Sequence, residues 1–274
     1  MKKIIIAITL LITCILSLTG CRGIDENTIV VGTMSQPGEP ILESIRAELE
    51  EKGYTLKIQL FSDFNTPNEA LAEGSIDANL FQHEPFLNTY NNANKTNLYC
   101  AAKLYDCVYG GYSTKVTSLD QIPAGAKITI ANDASNMLRC LKILASAGLI
   151  ELIDELPETI TATDVNSYIK TNEKNLVISP IATNMIAASL GDENVYLGVV
   201  NATFAIAAKL TSSQLLCQEQ DPEHVNANIL ACREDNKDSA KVLALIEALT
   251  SEKTENFINE TFKGTIIPYF VKLV

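Results

Sequence analysis

Histidine is scarce in this 274-residue chain, present only as His83 and His224, which disfavours a histidine-rich metal site. His83-Glu84 begins like the zinc motif His-Glu-x-x-His, but Leu87 stands where the second histidine belongs. Gly-x-Ser-x-Gly and P-loop patterns are missing as well, removing the usual sequence routes to an activated serine or a cradled nucleotide. Basic residues are in deficit: 21 Lys+Arg against 33 Asp+Glu leave a formal net charge of −12. A surface that acidic repels phosphate backbones and argues against nucleic acid as a partner. None of the seven cysteines forms a Cys-x-x-Cys pair, so zinc or dithiol redox work has no framework here. Repeats and low-complexity tracts are lacking too, while 47% apolar residues are enough to bury a core.

What is there starts at the first residue. Met1-Lys2-Lys3 precedes an apolar run from Ile4 to Leu18, followed by Leu18-Thr19-Gly20-Cys21. A basic start, a short apolar core and a small-residue cleavage site make a secretory signal. The run falls short of the roughly 20 apolar residues that span a bilayer, and Arg22, Asp25 and Glu26 follow at once. Leu-Thr-Gly-Cys resembles a bacterial lipobox, in which the cysteine thiol is acylated and the bond before it is cut. Residues 1–20 are then a lipoprotein signal peptide, Cys21 the lipid-bearing (palmitate-type) first residue, and 21–27 a tether at the outer face of the cell membrane. Cleavage removes two lysines and no acid, leaving 19 basic against 33 acidic residues, a net charge of −14. Five cysteines remain besides Cys14 and Cys21 (Cys100, Cys107, Cys140, Cys217 and Cys232), an odd number that reads as buried thiols.

Strand and helix patterns alternate through the rest. Thr28 to Met34 is strand-like, and Ile41, Leu42, Ile45 and Leu49 share one helical face ending at Gly53. Leu56, Ile58 and Leu60 alternate as in a half-buried strand. Thr66-Pro67-Asn68-Glu69 predicts a capping box with Thr66 as N-cap, on a helix stopped by Gly74. Ile76 to Leu80 and Lys127 to Ala131 predict strands, the latter leading into a helix with Leu138, Leu141 and Leu144 that closes at Gly148. Leu176 to Ser179, Val195 to Val200 and Asn228 to Cys232 predict further strands; Ala202 to Leu210 is Ala-rich. The tail predicts a helix with Val242, Leu243, Ile246 and Leu249 on one side. The alternation implies an α/β architecture with largely parallel sheets, as one large or two medium domains.

Phe61-Ser-Asp-Phe-Asn-Thr-Pro-Asn-Glu-Ala-Leu71, with Gly74-Ser-Ile-Asp-Ala-Asn-Leu-Phe-Gln-His-Glu-Pro-Phe-Leu87, resembles the NlpA-type methionine-binding lipoproteins, the substrate-binding proteins of ABC importers. The likeness recurs at Asn132 to Arg139, Val200 to Phe204 and Asn228 to Asp238, so it covers the mature chain in order. It implies a type II periplasmic-binding-protein-like fold of two α/β lobes joined by two crossing strands, with lobe 1 from 28–108 and 229–274 and lobe 2 from 109–228. It also implies an amino acid held between the lobes, an ABC permease and ATPase complex as partner, no cofactor and no catalysis.

The residue chemistry suits such a ligand. Arg139 offers a planar fork for a carboxylate near the start of a predicted helix, where free amides also favour anions; Asn136 lies one turn earlier on the same face. The resemblance makes Arg139 the carboxylate clamp, Asn201 and Asn228 the holders of the head group, and Phe81 and His83 the side-chain wall. Phe64 and Phe86 join that wall where the family usually has tyrosine, and Leu138 replaces a usual glycine. Two phenolic hydroxyls are thus missing, and the ligand is expected to be methionine, a short methionyl peptide or another apolar amino acid. Because Arg139 is expected to serve ligand rather than core, its removal is expected to leave the fold intact.

Overall fold

The computed structural model describes residues 26–157 and 160–274; the signal peptide and Cys21 lie outside them. β1 (Thr28–Met34) leads into α1 (Gly38–Ser44) and α2 (Arg46–Glu51), and β2 (Thr55–Phe61) into α3 (Thr66–Ala72). β3 (Ala78–His83), α4 (Glu84–Asn94), β4 (Leu98–Cys107) and β5 (Tyr109–Tyr112) follow, then β6 (Lys127–Ala131) and α5 (Ala134–Ser146). A small hairpin of β7 (Glu151–Leu152) and β8 (Ile169–Thr171) precedes β9 (Val177–Ile181), α6 (Ile186–Ser189), β10 (Val195–Asn201), α7 (Ala202–Ala207) and β11 (Leu215–Gln218). β12 (Ala227–Arg233), α8 (Ala240–Leu249), α9 (Glu252–Phe262) and β13 (Ile266–Lys272) complete the chain.

Two sheets organise these elements into two lobes. The first has the order β13-β4-β12-β3-β1-β2, the second β11-β5-β10-β6-β9. β1 pairs in parallel with β2 and β3, as strand-helix-strand connections require, whereas β12 and β13 return antiparallel on β4. The chain crosses between sheets at Val108, where β4 runs almost directly into β5, and again through residues 219–226 from β11 to β12. Each lobe has its own apolar core, one around Ile29, Leu42, Leu80, Leu104 and Leu245, the other around Ile128, Ile130, Met137, Leu141 and Val199.

Several expectations change in detail. The α3 N-terminus is not a Thr66 capping box: Thr66 is already helical, and Asp63 Oδ1 accepts from the amides of Asn65 and Thr66 at 2.8 and 3.0 Å. An ionised carboxylate is the stronger acceptor for orphan amides, so it takes the cap. In α8 Leu243 is 44% exposed while Leu245 is buried, so the apolar stripe runs through 242, 245, 246 and 249. Gly148 does close α5, with φ +71° that an L side chain rarely adopts. All five remaining cysteines are free, and only Cys217 is incompletely buried. No described helix is long and apolar enough to cross a membrane.

Beneath the cleft-facing end of β3, three amide side chains are buried together. Asn68 of α3 donates to Gln82 (2.8 Å) and accepts from Asn79 (2.9 Å) and Gln82 (2.7 Å), while Gln82 also donates to Asn79 (3.0 Å). Buried amides linked in this way satisfy one another.

Candidate functional site between the lobes

The aromatic wall is built at one strand-to-helix junction. Phe81 and His83 both approach the Phe86 ring from β3, whose register against β12 shifts between Leu80 and His83, and His83 is also the N-cap of α4, its Nδ1 accepting from the Phe86 amide at 3.2 Å. That cap turns Phe86 back toward Phe81, with ring centroids 6.0 Å apart at 82°. Phe64, from the loop after β2, lies 5.8 Å from Phe81 and 6.2 Å from Phe86. Phe204 of α7 closes the group from the opposite lobe, 5.1 Å from Phe64, and Met34 completes the apolar cluster. Edge and tilted contacts of this kind suit the ring quadrupoles.

The polar wall comes from the second lobe except for Asn228, which stands on β12 of the first sheet. Asp133 caps α5, its Oδ1 accepting from the Asn136 amide (3.0 Å) and its Oδ2 from Asn136 Nδ2 (3.1 Å). The free helix amides expected to favour a ligand anion are therefore partly occupied by this carboxylate. Asn136 Oδ1 is left facing His83 Nε2 across the interlobe boundary, at 2.9 Å. Since Nδ1 of His83 accepts, its Nε2 carries the proton, fixing the neutral tautomer. Burial, helped by the nearby Arg139 charge, lowers the His83 pKa to about 3. A second interlobe bond, Asn184 Nδ2 to Ser62 O at 3.2 Å, lies at an exposed edge.

Arg139 projects from α5 onto the same face as Asn136, but its fork is occupied. Nε donates to Glu219 Oε1 at 2.8 Å and Nη2 to Glu219 Oε2 at 2.5 Å, with Nη2 also 3.3 Å from the Cys107 carbonyl. The guanidinium lies 4.7 Å from the Tyr109 ring centre. Nη1 makes only a long contact, 3.5 Å to Asn136 Oδ1. Glu219 is anchored in turn by both crossovers: its amide donates to Tyr109 O (2.9 Å), and its side chain accepts from the Tyr109 amide (3.3 Å) and Asn226 Nδ2 (3.2 Å). A groove of about 940 Å³ reaches this pair from outside, between α4 and α5, lined among others by Pro85, Asn88, Leu138 and Lys142.

The two asparagines converge on the same region from β10 and β12. Asn201 caps α7, its Oδ1 accepting from the Thr203 amide at 2.9 Å and contacting the Cys107 thiol at 3.5 Å. Asn228 pairs in register with both His83 and Tyr105, next to a β-bulge, a device that re-aims side chains beside sites. Its Nδ2 lies 3.4 Å from the Tyr105 hydroxyl. Phe81, His83, Phe86, Asn136, Arg139, Asn201 and Asn228 are all buried and Phe64 half-buried. Sequence reasoning missed Glu219, Phe204 and Met34. Phe204 ends a stretch that carries the family resemblance, and an arginine expected to be buried calls for a search among the acidic residues for its partner.

Comparison with known proteins agrees with this architecture. The family model described as NlpA lipoprotein matches residues 29–270. The methionine-binding lipoprotein MetQ of Bacillus subtilis is 36% identical, covering 89% of this chain and 88% of its own. The D-methionine-binding lipoprotein MetQ of Salmonella typhi is 34% identical over 91% of this chain and 92% of its own. The structure of a nutrient-binding protein from Burkholderia cenocepacia bound to methionine superimposes with a TM-score of 0.81 at 31% identity, covering 88% of this chain and all of the other. The chain belongs to the NlpA lipoprotein family.

Proposed function

We propose that this chain is the lipid-anchored, extracytoplasmic substrate-binding protein of an ABC importer, capturing methionine or a closely related apolar amino acid between its lobes. The supporting observation is the meeting of two unlike walls. Phe64, Phe81, Phe86 and Phe204 with Met34 offer apolar, polarizable surface for a thioether side chain. Asn136, Arg139, Asn201 and Asn228 offer donors and acceptors for a zwitterionic head group. Residues 28–108 and 229–274 would form one lobe and 109–228 the other, with Ala227 and Asn228 at that boundary already paired to the first sheet, so that ligand contacts from both sides favour closure. The partners are an ABC permease and its ATPase, with the acylated Cys21 holding the protein at the membrane.

The reading is of a carrier, not a catalyst. His83 spends both ring nitrogens on fixed partners, and burial pushes the Cys107 thiol up and Cys140 to about 12, so neither thiol is an activated nucleophile. The test is calorimetric titration of the mature protein with L-methionine, D-methionine, L-leucine and methionyl dipeptides, alongside native mass spectrometry for co-purified ligand. Methionine bound at least about tenfold more tightly than leucine supports the reading; absence of binding to every one of them overturns it.

A further inference from the structure

The buried charges near the cleft balance before any ligand arrives. Arg139 is 6% and Glu219 9% exposed, and they meet through two parallel bonds. His83 is neutral at ordinary pH, as its partners require. The neighbouring charges are engaged elsewhere. Asp133 is committed to the α5 N-terminus and Thr183. Asp106 is bound to His224 at 2.7 Å, which stacks on Tyr269. Lys142 is exposed on the outer groove.

A ligand carboxylate that displaced Glu219 would strand a buried acid still tied to the Tyr109 amide and Asn226. Leaving such a charge unpaired costs far more than the exchange returns. Glu219 therefore stays, and Arg139 meets the ligand through Nη1, the edge turned toward Asn136. A zwitterion adds no net charge to this enclosure; an anion of the same shape adds one.

We infer that Glu219 determines charge specificity: by neutralising Arg139 within the closed cleft, it makes the site accept zwitterionic amino acids and reject N-acylated, anionic ones. The inference rests on the amino-acid reading above. Glu219 acts through Arg139 and is a positioning and specificity residue. It rejects the wrong ligand by an electrostatic penalty instead of by shape.

The experiment titrates wild type, Glu219→Gln and Glu219→Asp with L-methionine, L-leucine and their N-acetyl derivatives, with thermal unfolding recorded for each protein. Wild type is expected to prefer the free amino acid at least about tenfold, and Glu219→Gln to shrink that ratio at least about tenfold, while Glu219→Asp, which keeps the charge, holds it near the wild-type value. A purely structural role would weaken both ligands equally and leave the ratio unchanged, which overturns the inference. Wild type binding N-acetyl-methionine as tightly as methionine overturns it without any variant, should Glu219→Gln fail to fold. An unchanged ratio with tight methionine binding removes only this inference, whereas a wild type that binds neither amino acid removes the functional reading and this inference with it.

Discussion

His83 of the first lobe and Asn136 of the second meet through a 2.9 Å bond whose donor is the imidazole Nε2. Each is locked by its own helix N-terminus, His83 by accepting from Phe86 and Asn136 by donating to Asp133. The bond thus links the cap of α4 to the first turn of α5, and the Phe86 amide, which needs an unprotonated Nδ1 as acceptor, keeps the ring neutral.

Acid should weaken that arrangement. The His83 pKa is lowered from 6.5 to about 3 by burial and by the Arg139 charge, so between those values the unfolded chain binds a proton that the folded one does not. Stability contributed by the neutral ring is fully present above pH 6.5 and declines as pH falls toward 3. Between pH 7 and 5 the loss from this residue reaches about 2 kcal/mol. Urea denaturation at both pH values should show a smaller decline in His83→Asn, which keeps a capping group but cannot titrate. Equal declines in the two proteins would refute the assignment.

Arg139→Ala is expected to destabilise the protein as well as abolish tight binding. Its removal leaves the Glu219 carboxylate buried and unpaired, a loss typically of about 3–5 kcal/mol. This reverses the expectation from sequence that the fold would be untouched. Arg139→Met with Glu219→Leu should recover most of the stability and none of the binding, as urea denaturation and calorimetry would show.

How far the sequence could be read follows from where information is local. β6 and α5 were legible because Lys127 to Ala131 and the Leu141, Leu144, Gly148 spacing each carry their own periodicity. β4 was not: nearly every residue from Leu98 to Cys107 is buried on both faces, so it has no alternation. β13 carries Pro268 and lies at the sheet edge, where strand propensity is weak evidence. Phe64, Phe81, His83 and Phe86 were legible from the family-like stretch between residues 61 and 87, whereas Met34 and Phe204, which complete the same cluster, lie outside it. The Arg139–Glu219 pair spans 80 positions, and no spacing rule reaches that far.

Phe204→Ala should lower methionine affinity by about three- to tenfold, because it removes an interlobe aromatic pair worth about 0.5–1.5 kcal/mol. Phe204 is half-buried and packs only against the margin of the second lobe's core, so the melting temperature of the ligand-free protein should fall only modestly. Calorimetry and differential scanning calorimetry check the two halves separately. A large drop in melting temperature would make Phe204 a core residue.

Cys21→Ser should release the protein from membranes or leave it unprocessed. Acyl chains stabilise anchoring by about 0.8 kcal/mol per buried methylene, and no described helix can substitute for them. Fractionation with immunoblotting gives the answer; a processed variant that still sediments wholly with membranes would disprove anchoring through this cysteine.

The linked amides of Asn68, Asn79 and Gln82 have a bearing on how accurately the aromatic wall is assembled. β3 lies between β1 and β12, and a slip of one residue would send Phe81 and His83 to the opposite face. The same slip would break the four bonds among the three amides in a place water does not reach, at about 1–3 kcal/mol for each group left unsatisfied. Misaligned versions of the strand are thereby penalised during folding, before any amino acid has been bound.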